Sequence, residues 1–302
     1  MFEFIKIITL RATYECQEEG CLPPYLGSTI RGILGHCIRD SYCDYPRRRC
    51  HQCKKRTACH YVQCFSNTGG EAGAVNPYAL YIHGGGKENW KIGDICVFDL
   101  TLFGNGAEQA EIYLEALKAA EQKGWGAARL SFKLIQVTEA ESGKMIYAGG
   151  KSWVCNLSPR PLQIAERKAS YANLFFDTPL RIVSSEKLFE KLPFDMLMQF
   201  LIRRISLLTT AHTEFQLEWD EEGLLEEARK VRTISEYWRE IPFERYSMNK
   251  KEGKLELPSK TGWVLYEGDL STFVPILEVG RYLRLGKGAT IGFGHYEISY
   301  DR

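Results

Sequence analysis

Leu285-Gly-Lys-Gly-Ala-Thr-Ile-Gly-Phe-Gly-His-Tyr-Glu-Ile298 joins an apolar segment, Phe273 to Leu285, to an alternating one, Phe293 to Tyr300. That succession predicts a helix over 270–285 and a final strand over 292–300, with the glycines as the turn between them. Gly286, Gly288, Gly292 and Gly294 permit positive φ and a close approach of the backbone. Consecutive backbone N–H groups in such a loop form a concavity that suits a phosphate. Arg284 and Lys287 add charge beside it, and His295 follows it. The plainer reading of the glycines is a helix-to-strand loop that closes a sheet. For His295 it is a strand residue facing solvent.

Outward from this ending, the second half of the chain predicts a strand over 172–182, placed near an edge by Pro179. An apolar helix over 194–211 follows, then a small polar helix over 222–231 and strands over 237–248 and 255–265. The first half repeats the order. It predicts a strand over 2–13, a helix over 29–39, strands over 78–83 and 95–103, an amphipathic helix over 107–123 and a strand over 127–137 with a hairpin partner at 144–148. Each half therefore reads β-α-β-β-α-β, the order of the ferredoxin-like split βαβ unit. The expected fold is α+β, with two tandem ferredoxin-like (RRM-like) domains over 1–155 and 170–302. The glycine loop, 286–294, lies in the second, and a cysteine-rich insertion, 41–66, interrupts the first.

The 302 residues are enough for two cores, and 25% charged with 44% apolar residues is ordinary globular composition. No run of about 18 apolar residues predicts a membrane span. The first residues alternate as a strand rather than forming a signal peptide, so the expected location is the cytoplasm. The formal net charge is only +1, but charge is segregated. Arg31 to Cys64 holds eight Lys or Arg against two Asp, whereas Glu214 to Glu227 holds seven acids and no Lys or Arg. The acidic run reads as a solvated helix face.

Five of the ten cysteines crowd between Cys43 and Cys64. With no secretory signal, that clustering points to a metal rather than to disulfides. Cys43, Cys50, Cys53 and Cys59 are the best ligands, because Cys50-x-x-Cys53 is the short chelate of a tetrahedral thiolate site. Structural zinc is the first expectation and an iron–sulfur cluster the second, since four thiolates serve both. His51, His60 and Cys64 are spare candidates, and an unligated loop is the plain alternative. Arg47, Arg48, Arg49, Lys54, Lys55 and Arg56 lie on the same insertion. They serve either to keep it soluble or to contact an RNA backbone.

Taken together, the chain resembles the RAMP-superfamily endoribonucleases of CRISPR systems, and within them a cysteine-bearing branch. The resemblance rests on the tandem order, on Gly286-Lys-Gly-Ala-Thr-Ile-Gly-Phe-Gly294, and on Arg31-Gly-Ile-Leu-Gly-His36 with the cysteines after it. Leu100-Thr-Leu-Phe-Gly104 and Gly124-Trp-Gly126 add to it. It implies cleavage of a CRISPR repeat RNA stem-loop without a catalytic cofactor. The 2′-hydroxyl attacks the adjacent phosphate, leaving a 2′,3′-cyclic phosphate and a 5′-hydroxyl. That chemistry needs a base, an acid and a cation, and histidine suits the first two roles.

The family's catalytic histidine lies on or just after the first helix, and His36 fits that placement, although a packed or solvent-facing histidine fits it too. Arg31, Arg39, Lys54 or Lys55 then supplies the cation. The RNA-binding set expected is Arg31, the Arg47–Arg49 run, Lys55, Arg56, Arg284, Lys287, His295 and the four loop glycines. The two halves are expected to line one RNA cleft, and other CRISPR effector subunits are the expected protein partners. The rival readings are a non-catalytic RNA-binding subunit of an interference complex and a metal-stapled protein adaptor.

Overall fold

The computed structural model describes residues 2–301 except 46–47, 67–74, 154–156, 185 and 247–253. The chain divides into two compact units. One is Phe4–Pro161 with Ala211–Thr213; the other is Leu162–Thr210 and Glu214–Arg302 with the first three residues.

In the first unit the long strand β1 (Lys6–Cys16) is the spine. Its alternate residues Ile8, Leu10, Ala12, Tyr14 and Cys16 are buried, as period-two patterning requires of a sheet covered on one face. Helix α1 (Gly27–Tyr42) follows and turns Ile30, Ile33, Leu34, Cys37 and Ile38 into the same core. Strands β2 (Tyr78–Ile82) and β3 (Ile95–Phe103), helix α2 (Ala110–Ala119), strand β4 (Phe132–Glu139) and its hairpin partner β5 (Met145–Ala148) complete the unit. The sheet runs β2-β3-β1-β4-β5, with every pair antiparallel. Tyr14 anchors the sheet to α2 by donating its hydroxyl to the Leu117 carbonyl at 2.6 Å.

The second unit repeats the order. Strand β6 (Tyr171–Leu180) leads to helix α3 (Phe194–His212), short helix α4 (Glu221–Ala228), strands β7 (Arg232–Ile241) and β8 (Ser259–Glu267), helix α5 (Val274–Leu283) and strand β9 (Glu297–Asp301). Its sheet runs β7-β8-β6-β9, again antiparallel throughout. The protein is thus α+β, with a β-sheet in each of two units and the expected β-α-β-β-α-β order in both. Tyr266 and Tyr296 are fully buried and donate to the Leu192 and Leu277 carbonyls, so the second core leaves neither hydroxyl unsatisfied.

Several boundaries move. The strand expected from residue 127 starts at Phe132, because Trp125 and Leu130 close a small bridge before it. Strand β7 begins at Arg232, five residues earlier than its apolar pattern suggested. Arg160–Pro161, within the stretch read as linker, pairs with Lys6 and Ile7 of β1. Residues 289–291 form a 3-10 turn, so the last strand begins only at Glu297. Val62–Ser66 is a π-helical turn that no sequence pattern announced.

Candidate functional site

The residues of the expected site fall into two groups, one in each unit. The first is built on α1. Its buried side is fixed by Ile30, Ile33, Leu34 and Ile38, which leaves His36 and Asp40 exposed one turn apart. Lys123 donates to the Asp40 carboxylate at 2.8 Å. That hydrogen bond holds Asp40 below the usual carboxylate range, and His36 and Arg39 add to the effect. His36 is therefore an exposed imidazole beside a lysine-bound carboxylate.

Another side of α1 meets the insertion. Arg31 donates to the Phe65 carbonyl at 3.0 Å, and its guanidinium lies 5.5 Å from the centre of the Phe65 ring. Gly35 lets that ring come close, since a Cβ there would stand 2.7 Å from it. Arg39 donates to the Arg48 carbonyl at 3.3 Å. The cations of Arg48 and Lys55 lie 5.6 and 5.8 Å from the Tyr45 ring, and Lys55 also pairs with Asp44. Arg48, Arg49, Lys54, Lys55 and Arg56 are all exposed. Arg47 lies outside the described residues.

The cysteines did not assemble as expected. Cys50 opens a 3-10 turn that ends at Cys53, and Cys59 ends a second one. Cys43, Cys50, Cys53 and Cys59 are half-buried, carry free thiols, and no described residue from 43 to 59 is buried. Burial raises the Cys50 thiol pKa; Arg39 lowers it, and the thiols of Cys43, Cys59 and Cys53 raise it. The four are thus electrostatic neighbours with the donor chemistry of zinc or an iron–sulfur cluster. Among the described residues, however, no three His, Cys, Asp or Glu converge as a metal-holding group. The first of these turns is closed by the bond from Cys53 N–H to the Cys50 carbonyl, while Cys43 caps the end of α1.

His51 is exposed on the insertion. His60 and Cys64 belong to the core below it. Their Nδ1 and Sγ atoms are 3.5 Å apart, and the His60 ring meets Tyr113 edge-on at 5.6 Å. Burial pushes His60 down to about 4 and Cys64 up to about 12. His212, at the end of α3, bridges Asn105 Oδ1 at 3.0 Å and the Val75 carbonyl at 2.7 Å. His60 and His212 thus both make their contacts within the first unit.

The second group is the glycine loop, and its geometry departs from an open phosphate cradle. Gly286, Gly288, Gly292 and Gly294 all have positive φ. Yet the N–H groups of Leu285, Lys287, Ile291, Gly292, Phe293 and Gly294 already donate to backbone carbonyls. Two of these bonds, Lys287 to Arg181 and Gly294 to Pro179, stitch the loop to the end of β6. Leu285, Ala289, Ile291 and Phe293 are buried. Arg284 is buried too, and Arg204 donates to the Leu283 carbonyl beside it. Burial, then the charge of Arg284, lowers the Arg204 pKa to about 10. His295 does not face solvent. It is 9% exposed, with Nδ1 2.6 Å from Asp177 and its N–H donating to Thr178 Oγ1 at 2.8 Å. Lys287 alone among the loop side chains from 284 to 295 is exposed.

One cluster escaped the sequence reading. Arg11 makes a two-pronged contact with Asp99 at 2.7 and 2.8 Å, and His83 Nε2 lies 3.1 Å from the same carboxylate. The three are distant in sequence; only the β1–β3 register, which sets Arg11 opposite Asp99, brings them together.

Comparison with known proteins completes the description. A family model described only as an N-terminal domain matches residues 4–159. The model of the CRISPR-associated endoribonuclease Cas6 matches residues 174–296. An uncharacterized protein of Archaeoglobus fulgidus is 23% identical over 283 residues, 92% of each chain. Among solved structures, a Thermus thermophilus Cas6 product complex superposes with a TM-score of 0.57 at 15% identity, over 97% of this chain and 99% of that one. The partial Cas6-RT-Cas1–Cas2 complex superposes with a TM-score of 0.64 at 11% identity, over 99% of this chain. There the chain spans only 47% of the matched polypeptide's length. At these identities the structures attest the fold. The second unit, over residues 174–296, is thus similar to the CRISPR-associated endoribonuclease Cas6 family, and the fold in two units is that of the matched Cas6 structures.

Proposed function

We propose that the protein, built as two ferredoxin-like units, cleaves CRISPR repeat transcripts by attack of a ribose 2′-hydroxyl on the adjacent phosphate. The products are a 2′,3′-cyclic phosphate and a 5′-hydroxyl, with no metal in the reaction. The observation that carries this reading is His36, an exposed imidazole beside the Asp40–Lys123 pair on the first helix of a chain whose second unit is similar to the Cas6 family. An imidazole can accept or donate a proton, so His36 serves either as base at the 2′-oxygen or as acid at the leaving 5′-oxygen. Arg39 and Lys54 balance the charge that develops on the phosphate. Exposed cations of the insertion and Lys287 hold the RNA backbone.

The test is single-turnover cleavage of a short repeat RNA in EDTA. Replacing the ribose upstream of the cut by deoxyribose abolishes cleavage, and His36→Ala slows it by roughly 10²- to 10⁴-fold. Cleavage of the deoxyribose substrate would overturn the mechanism.

We also propose that the thiols of Cys43, Cys50, Cys53 and Cys59 hold a structural metal, zinc before iron–sulfur. The support is their donor chemistry and their shared electrostatic neighbourhood at Cys50. Such an ion would order a stretch in which no described residue is buried. Metal analysis of the purified protein decides it, and metal-free folded protein rejects it.

A second reading, an RNA-binding subunit that does not cut, draws support from the match to part of a larger Cas6-RT-Cas1–Cas2 assembly. Wild-type protein that binds repeat RNA tightly and leaves it whole would favour it.

A further inference from the structure

Three strands of the C-terminal sheet each place an aromatic ring in one row on one face. Phe175 of β6 stands opposite Trp263 of β8, and Trp263 stands opposite Tyr237 of β7. Residues on this face alternate with the buried Leu174, Phe176 and Val264, so the three rings share the side turned away from that core. Phe175 is 50% and Tyr237 59% exposed, and Trp263 is half-buried between them. Neighbouring strands lie about 4.8 Å apart, so the row extends roughly 10 Å across the sheet.

The surroundings narrow what fits there. The rows on either side carry short hydrogen-bonding groups: Asn173 and Ser235 beside Leu265, and Thr261 opposite the exposed Arg239. Three acids of this face have cationic partners. Glu297, at the end of the row opposite Phe175, accepts from Arg281 at 2.9 Å. Asp177 pairs with His295, and Glu267 pairs with Arg232. The exposed surface therefore offers flat π-faces, small polar groups and two arginines, Arg239 and the Glu267-paired Arg232, around the half-buried Leu265. Nucleic-acid bases match that set. Each has a π-face for an aromatic ring and polar edges for Asn, Ser or Thr.

We propose that Tyr237, Trp263 and Phe175 form a stacking platform for two or three consecutive unpaired nucleotides of single-stranded RNA, separate from the residues assigned to the cut. The choice of RNA rests on the processing reading above. Such a site holds an unpaired flank of the repeat while the chemistry occurs in the other unit, and it retains that flank afterwards. Stacking is tolerant of sequence, because every base has a π-face.

The test uses a ten-nucleotide unstructured RNA carrying one 2-aminopurine, whose emission is quenched when it stacks. Phe175→Leu, Tyr237→Leu and Trp263→Leu keep apolar bulk and remove the ring. Phe175 and Tyr237 are exposed enough that those two variants fold even where Trp263→Leu does not. Each substitution is expected to weaken oligonucleotide binding by roughly 5- to 150-fold and to remove quenching. Single-turnover cleavage of a saturating repeat stem stays at the wild-type rate. Leucine variants that quench and bind like the wild type would overturn the platform. If the wild type cuts no repeat RNA while ring-dependent quenching persists, the processing reading fails and the platform stands.

Discussion

Asp99 carries more of the first sheet than its place on β3 announces. Burial alone would raise its pKa, but hydrogen bonds from Arg11 and His83 outweigh that and hold it below the usual carboxylate value. A depressed carboxylate stabilises the fold above the unfolded-state pKa and loses that contribution as pH falls through the folded one. At neutral pH, Asp99→Asn should cost about 1–3 kcal/mol; Arg11 is partly exposed, so solvent screening moderates the loss. Melts of wild type and variant from pH 7 to pH 3 should converge as the wild-type carboxylate becomes protonated. A gap of constant size would assign the loss to packing instead. His295 teaches a related lesson. Its position after the glycines suggested a ligand contact, whereas its ring is held by Asp177, 118 residues away. Pair partners at such separations leave no local signal in a single sequence.

At the scale of elements, the glycine loop is a joint. Gly294 sits at φ +75°, and a Cβ there would stand 1.9 Å from the Leu285 carbonyl oxygen. Gly294→Ala must therefore break the bond from Leu285 N–H to the Gly294 carbonyl, or move the whole loop. The expected loss is roughly 3 kcal/mol or more by urea denaturation. Lys287→Ala, at the exposed tip, should stay within about 0.5 kcal/mol of wild type. Equal effects at both positions would contradict the joint. The order of strands and helices in both units was legible, because period-two and helical patterns are local properties of β1, α1, α5 and their counterparts. The destination of the Lys287 and Gly294 amides was not, since their acceptors, Arg181 and Pro179, lie over 100 residues upstream. The cysteine spacing was legible as a ligand set, but spacing does not fix the rotation of each turn. The thiols therefore share a neighbourhood without converging. The aromatic row was invisible for the same reason as Asp99: only strand register aligns Tyr237, Trp263 and Phe175.

Over the whole molecule, charge is balanced in sum and segregated in sequence, and the two halves of that balance have different physical roles. The acidic run contains α4, where Asp220 caps the helix by accepting from Gly223 N–H at 2.9 Å and Glu221 and Glu222 occupy the first turn. Acids there favour the helix itself through the amide dipoles at its N-terminus. In the basic insertion Arg48, Arg49, Lys54 and Arg56 have exposed side chains, Arg48 with its guanidinium 5.6 Å from the Tyr45 ring. If these four contact phosphates, each contributes a released counterion, about 0.7 to 0.9 in the slope of log Kd against log salt concentration. Replacing all four by Ala should flatten that slope for repeat RNA by about 3 and weaken binding most at low salt. Replacing Glu226 and Glu227 by Gln should leave it nearly unchanged, because that run acts within its helix rather than on a polyanion. Titrations by fluorescence anisotropy between 50 and 200 mM salt measure both. A slope indifferent to the insertion would move the RNA contact to other residues and return the Arg and Lys runs to solubility alone.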